Sequence, residues 1–401
     1  METFSNDGRF RGVLHEGTRI FRGIVFARYG RFAPAVMQEP EGMVDAVDYG
    51  CVCPQRSSRL ASAMGDDLGV VMEEGRLCLS VYAPEKAENL PVMVWIHGGA
   101  FLTGGSEEKR YSCERLVRTG NVVVVKISYR LGALGYLYMP ERGAVNLGLQ
   151  DQELALEWVR MHVASFGGNP EDVTLFGQSA GALSIAALIA RSGDNPPFRK
   201  AVLQSAPLGI TITPAQASDI TDRFLKALGK DPMEARLDEL LDAQETMKGA
   251  RIGLTFMPVM ENITDIGAAA SNGLKIVAGY TKDDASPFLK GSLGSLLGTA
   301  FGRMMVRLVT RFIFANPVRS YVRKLKANGA EASLYYYDWA PKGNPLGSCH
   351  CMELPFLLGE YEDWCDSAML KGMTRDEFET NSRLFLTAWT RFASEGVFPE
   401  I

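Results

Sequence analysis

Val173-Thr174-Leu175-Phe176-Gly177-Gln178-Ser179-Ala180-Gly181-Ala182-Leu183 is the stretch on which the fold turns. A short apolar run enters it, and a run of small and aliphatic residues, Ala180 to Ala190, leaves it. The first reads as a buried strand and the second as a helix. Between them stands G-x-S-x-G, Gly177 to Gly181. A strand that breaks sharply into a helix forces the serine into strained backbone angles. Glycines on either side remove the side chains that would clash there. The helix start also aims free N–H groups and a positive dipole end at the serine. Ser179 is therefore the expected nucleophile.

Working upstream, Pro91 to Ile96 and Val122 to Tyr129 are nearly continuous apolar runs, as expected of strands buried on both faces. Asp151 to Val163 has helical spacing, with Leu154, Ala155, Trp158 and Val159 on one side. Downstream, Ala201 to Gln204, Leu274 to Tyr280 and Ala332 to Trp339 read as further strands. Such β-α-β alternation predicts an α/β fold with a mostly parallel central sheet flanked by helices. Residues 9–29 read instead as short strands joined at Glu16-Gly17, with another strand at Leu79 to Ala83. Helical segments at about 214–248 and 285–327 look like insertions over one end of the sheet, a reduced helical cap spanning about 207–272 and 285–327. No linker divides the chain, so residues 1–401 are expected to form one domain.

The strand at 91–96 runs into His97-Gly98-Gly99-Ala100-Phe101. A carbonyl oxygen that turns negative in a transition state needs preset donors, and N–H groups of a glycine-rich loop supply them. The expected oxyanion hole is the N–H of Gly99, Ala100 and Ala180. Serine also needs a base. The chain has four histidines, and only His350 follows Ser179, as the order serine, acid, histidine requires. His15 is placed on the N-terminal hairpin, His162 on a helix, and His97 in the oxyanion loop as a structural residue. The acid should come from another strand end. Asp283 and Asp284, after the strand at 274–280, both qualify.

Together these residues resemble the type-B carboxylesterase family, which includes cholinesterases and para-nitrobenzyl esterases. The likeness also runs through Phe21-Arg22-Gly23-Ile24, Tyr129-Arg130-Leu131-Gly132, Asn146 to Asp151 and Phe166-Gly167-Gly168-Asn169-Pro170. It continues in His350-Cys351-Met352-Glu353-Leu354-Pro355-Phe356 and in Trp389 with Phe392-Ala393. The resemblance implies the α/β-hydrolase fold, with Ser179 as nucleophile, His350 as base and Asp284, rather than Asp283, as acid. It implies carboxylic ester hydrolysis without cofactor or metal. Relatives usually carry glutamate at the acid position and often at the place of Gln178. The resemblance also matches Cys53 and Cys78 to an N-terminal disulfide pair, although free thiols are expected in the cytoplasm. The chain is shorter than usual members over the site and at its end, which implies a more open pocket.

Composition limits the rest. The 401 residues are 46% hydrophobic and 22% charged, with a formal net charge of −5. These values fit a globular chain and give no reason to expect nucleic acid or membrane as partner. The expected partner is a small ester. Seven cysteines, an odd number, and no visible export signal point to the cytoplasm. Cys349-His350-Cys351 has the wrong spacing for a zinc site. Arg303, Arg307 and Arg311 form a polar stripe that reads as a solvated helix face. Two alternatives share the motifs: a serine hydrolase acting on thioesters, lactones or amides, and a non-catalytic binding protein.

Overall fold

A computed structural model describes residues 1–65, 69–193, 195–247, 254–266 and 272–401. Parts of the expected insertion at 207–272, and the end of the helix expected over 214–248, lie outside the described residues.

The main strands are β1 (Glu2–Phe4), β2 (Phe10–His15), β3 (Thr18–Arg28), β4 (Arg76–Pro84) and β5 (Leu90–Ile96), followed by β6 (Val123–Ile127), β7 (Gly168–Gln178), β8 (Lys200–Gln204), β9 (Lys275–Thr281) and β10 (Glu331–Tyr337). Their order in the sheet is β1-β2-β3-β4-β6-β5-β7-β8-β9-β10. From β6 to β10 every neighbouring pair is parallel, and from β1 to β6 every pair is antiparallel. The sheet is thus parallel where strands alternate with helices, as the sequence predicts, and antiparallel through the N-terminal strands. The turn expected at Glu16-Gly17 is part of the reason. Glu16 and Gly17 both adopt positive φ, 44° and 75°, which closes a two-residue hairpin between β2 and β3. A tight hairpin can only join antiparallel strands.

The principal helices are α1 (Glu114–Gly120), α2 (Leu147–His162), α3 (Ala180–Arg191), α4 (Pro214–Leu228) and α5 (Leu237–Thr246), then α6 (Ser286–Leu293), α7 (Ala300–Thr310), α8 (Asn316–Ala327) and α9 (Arg375–Glu395). They cover both faces, which explains the continuous apolar strands. In β5, Val92, Val94 and Ile96 pack on the side of α2 and α3, whereas Met93 and Trp95 pack with Leu116, Phe385 and Trp389 on the side of α1 and α9. The period of two is intact, but both sets are apolar because both are buried. β4, β5 and β7 extend the expected strands by a residue or more at their ends, and β9 is shifted by one residue.

One polar pair inside this core anchors the turn after β6. Arg130 donates to Asp151 through Nη2 at 2.6 Å and Nε at 2.8 Å, and its backbone N–H donates to the same carboxylate at 3.0 Å. Neither side chain reaches solvent. Removing one member leaves the other charged and buried. Asp151→Ala is therefore expected to cost about 3–5 kcal/mol of unfolding free energy, read from the urea midpoint.

The cysteines depart from expectation. Cys51, not Cys53, faces Cys78, with the sulfurs 3.4 Å apart. Gly50 lies so close to Cys78 that a Cβ there would sit 2.8 Å from the Cys78 Cβ, and the next residue is the one that meets it. Cys53 has already turned away, and its sulfur accepts from the Leu131 N–H at 3.2 Å.

Candidate active site

Ser179 sits at the junction of β7 and α3 with φ 58° and ψ −119°. L-residues rarely occupy that region, so the turn is strained as the motif requires. The Ser179 N–H donates to the Gln204 carbonyl at 2.8 Å, which ties the elbow to β8. Gly181 lies against the end of β5, where a Cβ would come 2.0 Å from the Ile96 carbonyl oxygen. Gly98 lies against the serine itself, where a Cβ would be 3.2 Å from the Ser179 Cβ. Only glycines let the elbow and the loop after β5 approach this closely.

That loop is strained too. Gly99, Ala100 and Phe101 all have positive φ, 110°, 58° and 60°. The Gly99 carbonyl accepts from the N–H groups of Leu102 and Thr103, each at 3.0 Å, and so is turned into the loop. Ser179, Gly99 and Ala100 line one cavity of about 450 Å³, with Leu102, Phe256 and Phe288 on its apolar wall and Arg59 at its side. Ala180 opens α3 next to the nucleophile, where a first-turn N–H has no partner within its helix. His97 is packed into this loop. Its Nδ1 lies 2.8 Å from the Gly98 carbonyl, its ring stacks on Tyr129 at 4.5 Å, and burial pushes its pKa down to about 4. It stays neutral and buttresses the loop. His15 lies on the exposed hairpin against Glu114, and His162 ends α2 in the core.

His350 and Asp284 come from the loops after β10 and β9. His350 Nδ1 is 2.7 Å from Asp284 Oδ1, and both side chains are fully buried. The other carboxylate oxygen, Oδ2, accepts from Ser205 Oγ at 3.0 Å and the Thr281 N–H at 2.9 Å. The neighbouring Asp283 points elsewhere. Its Oδ2 accepts from the Ser348 N–H at 3.2 Å, and its own N–H donates to the Ser348 carbonyl at 2.8 Å. It clasps the two loops together rather than touching the ring. The rings of Phe288 and Phe314 stand 5.0 and 5.1 Å from the imidazole and keep water from it.

The sequence gives no hint of one contact. With its Nδ1 proton held by Asp284, His350 offers Nε2 as an acceptor, and the side-chain amide of Gln178 fills it at 3.0 Å. Gln178 Oε1 in turn accepts from Cys351 Sγ at 3.2 Å. The histidine thus rests on the residue before Ser179. Ser205 is likewise not marked by any motif. Its signal is faint: a hydroxyl at the end of β8, the strand beside the one that leads to Asp284.

Glu353 is a further buried group. Its Oε1 accepts from the Tyr335 hydroxyl at 2.9 Å, while Oε2 has no partner among the described residues. Burial, with the Asp284 charge nearby, raises its pKa from 4.5 to about 8. The folded protein therefore holds a proton that the unfolded chain gives up above about pH 4.5. This contribution to stability is complete below that pH and declines as pH rises through about 8, by about 1.4 kcal/mol per unit. Glu353→Gln is expected to flatten the fall in unfolding free energy between pH 5 and 8. Paired urea titrations of variant and wild type at three pH values read that difference.

Comparison with known proteins gives the family. A model of the carboxylesterase family matches residues 3–300. The chain is 35% identical to the probable N-octanoylanthranilate hydrolase of Rhodococcus erythropolis, over 97% of this chain and 92% of that one. It is 33% identical to the para-nitrobenzyl esterase of Bacillus subtilis (strain 168), over 97% and 88%. Among solved structures, a thermophilic PNB esterase superposes with a TM-score of 0.87 at 30% identity, covering 99% of this chain and 92% of that one.

Proposed function

This chain belongs to the carboxylesterase family, and from that membership we propose that it hydrolyses small carboxylic esters through an acyl-enzyme on Ser179. The observation that carries the reading is the strained Ser179, opening on the same cavity as the Gly99-Ala100 loop. The Asp284–His350 pair supports it, since His350 is bonded to Gln178, the residue next to Ser179.

The chemistry follows from those parts. As the ester seats, the Ser179 hydroxyl replaces Gln178 on His350 Nε2. Ser179 Oγ attacks the carbonyl carbon while its proton passes to Nε2. Asp284 keeps the Nδ1 proton in place and stabilises the imidazolium. The oxyanion lies against the N–H groups of Gly99, Ala100 and Ala180. Collapse breaks the bond to the alkoxide, which leaves with the proton from His350. A water then gives its proton to His350 and attacks the acyl carbon, releasing the acid and restoring Ser179. No step calls for a metal or a cofactor.

The helical segments between β8 and β9 and between β9 and β10 form the proposed cap of a single domain. Among the described residues no helix is long and apolar enough to cross a membrane. The odd cysteine count favours a cytoplasmic location.

A fluorophosphonate probe tests the reading directly. It should label Ser179 stoichiometrically, and a short-chain para-nitrophenyl ester should compete with it. A folded protein that neither labels nor hydrolyses such esters belongs to the non-catalytic alternative. Matched ester, thioester and amide substrates, compared by kcat/KM, rank the remaining specificities.

A further inference from the structure

Helix α7 and the π-helical turn Arg311–Ala315 that follows it are buried along one edge only, through Gly302, Val306, Thr310 and Phe314. The exposed side carries two rows. One is basic: Arg303, Arg307 and Arg311, four residues apart. The other is apolar: Phe301, Met304, Leu308 and Phe312, which together with Leu296 just before the helix are between 46% and 65% exposed. Isolated exposed apolar residues are ordinary, but a row of five large ones beside a basic row is not.

The charge around this helix is one-sided. Between Asp284 and Glu331 the chain has eight lysines and arginines and neither an aspartate nor a glutamate, although the whole chain is net negative. Acidic groups nearby are largely engaged. Glu331 pairs with Lys275 at 3.1 Å, and Asp338 with Lys282 at 3.5 Å. Asp283 offsets Arg307 only at 3.8 Å. The patch continues onto the edge strand, where Leu334 and Tyr336 are exposed and Arg319 lies over the Tyr280 ring that packs on Tyr336.

We propose that this face docks the enzyme on an anionic lipid bilayer, with the apolar row entering the headgroup boundary and the arginines meeting lipid phosphates. An apolar row flanked by arginines on one exposed helix is the pattern of helices that lie in a membrane interface. The charge selects the partner. A second copy would bring the same arginine rows together, and like charges would oppose pairing. A neutral surface would leave the arginines unused. From the sequence the arginine stripe reads as a solvated helix face and the net charge gives no reason for a membrane partner; the exposed apolar row beside the stripe is what changes that reading.

The test is co-sedimentation of the full chain with vesicles of phosphatidylcholine alone and of phosphatidylcholine with about one quarter phosphatidylglycerol. Binding should require phosphatidylglycerol and weaken steeply at about 0.5 M salt. Each arginine near an anionic surface is worth about fivefold in binding. Arg303→Glu with Arg311→Glu should therefore weaken it by about 25-fold or more, while para-nitrophenyl ester hydrolysis in solution stays within about twofold. Phe301→Ser with Phe312→Ser should lower binding with the charges intact. Should the reversals fail to fold, Arg303→Gln with Arg311→Gln carries the same test. Wild type that ignores the anionic vesicles overturns the proposal, as does equal binding to both lipids. So does a dimer, seen by light scattering, that these substitutions dissociate, because the face would then cover a second copy.

Discussion

Alanine in place of Ser179 is expected to lower kcat for a short-chain para-nitrophenyl ester by about 10⁶-fold with little change in KM. The loss is that large because the substitution removes the atom that forms the acyl bond, and nothing else in the cavity can replace it. Ser57, Ser58 and Thr103 also line the cavity, but His350 is held by Asp284 on one side and Gln178 on the other, beside the elbow. A hydroxyl without that base is close to its unactivated state. A residual acceleration of about 10³-fold over water should survive in the variant, since the oxyanion donors remain. The fold should survive as well. What ties residue 179 to the sheet is its backbone N–H on the Gln204 carbonyl, and alanine keeps that bond. Its φ of 58° is no worse for alanine than for serine. An Ser179→Ala protein with the wild-type melting curve and near wild-type kcat would show that another group is the nucleophile.

The sequence carries the elbow because local rules determine it. A strand, a tight turn and a helix must follow one another within a dozen residues, and glycines must flank the serine. The same holds for the loop at Gly98 to Phe101. What lies further apart was less legible. Asp283 and Asp284 are adjacent and chemically alike, so strand periodicity cannot separate them. They part because one turns to Ser348 and the other to His350, and both partners lie more than sixty residues away. Gln178 and Ser205 act through contacts of the same kind. Gln178 presses the point furthest, since its amide occupies the histidine nitrogen that the reaction needs. Resting sites often hold such bonds until the substrate tightens the arrangement. The Cys51–Cys78 contact is hard to read for another reason: Cys51 and Cys53 are two residues apart, and a short irregular strand decides which faces the sheet. The exposed apolar row on α7 is invisible in the sequence because its spacing is equally that of a buried face.

The second large effect separates the two aspartates. Asp284→Asn is expected to lower kcat by about 10⁴-fold, whereas Asp283→Asn should stay within a few-fold of wild type. The carboxylate of Asp284 can only accept, so it fixes the proton on His350 Nδ1 and leaves Nε2 with the free electron pair. An asparagine in its place can point its NH₂ at Nδ1. The ring then carries its proton on Nε2, where it cannot take one from Ser179, and the imidazolium formed in the transition state loses its counter-charge. Packing should change little, because Ser205 Oγ and the Thr281 N–H can still donate to the remaining oxygen. Asp283 does different work. Its bonds run to Ser348 and hold the two loops in register, and asparagine keeps an acceptor oxygen for the Ser348 N–H. Steady-state kinetics on both variants, with fluorophosphonate labelling rates beside them, read the contrast. Labelling should slow sharply in Asp284→Asn, since it too needs an activated Ser179, and hardly at all in Asp283→Asn. The reverse ranking would move the acid to Asp283 and require the loop after β9 to rearrange before the reaction.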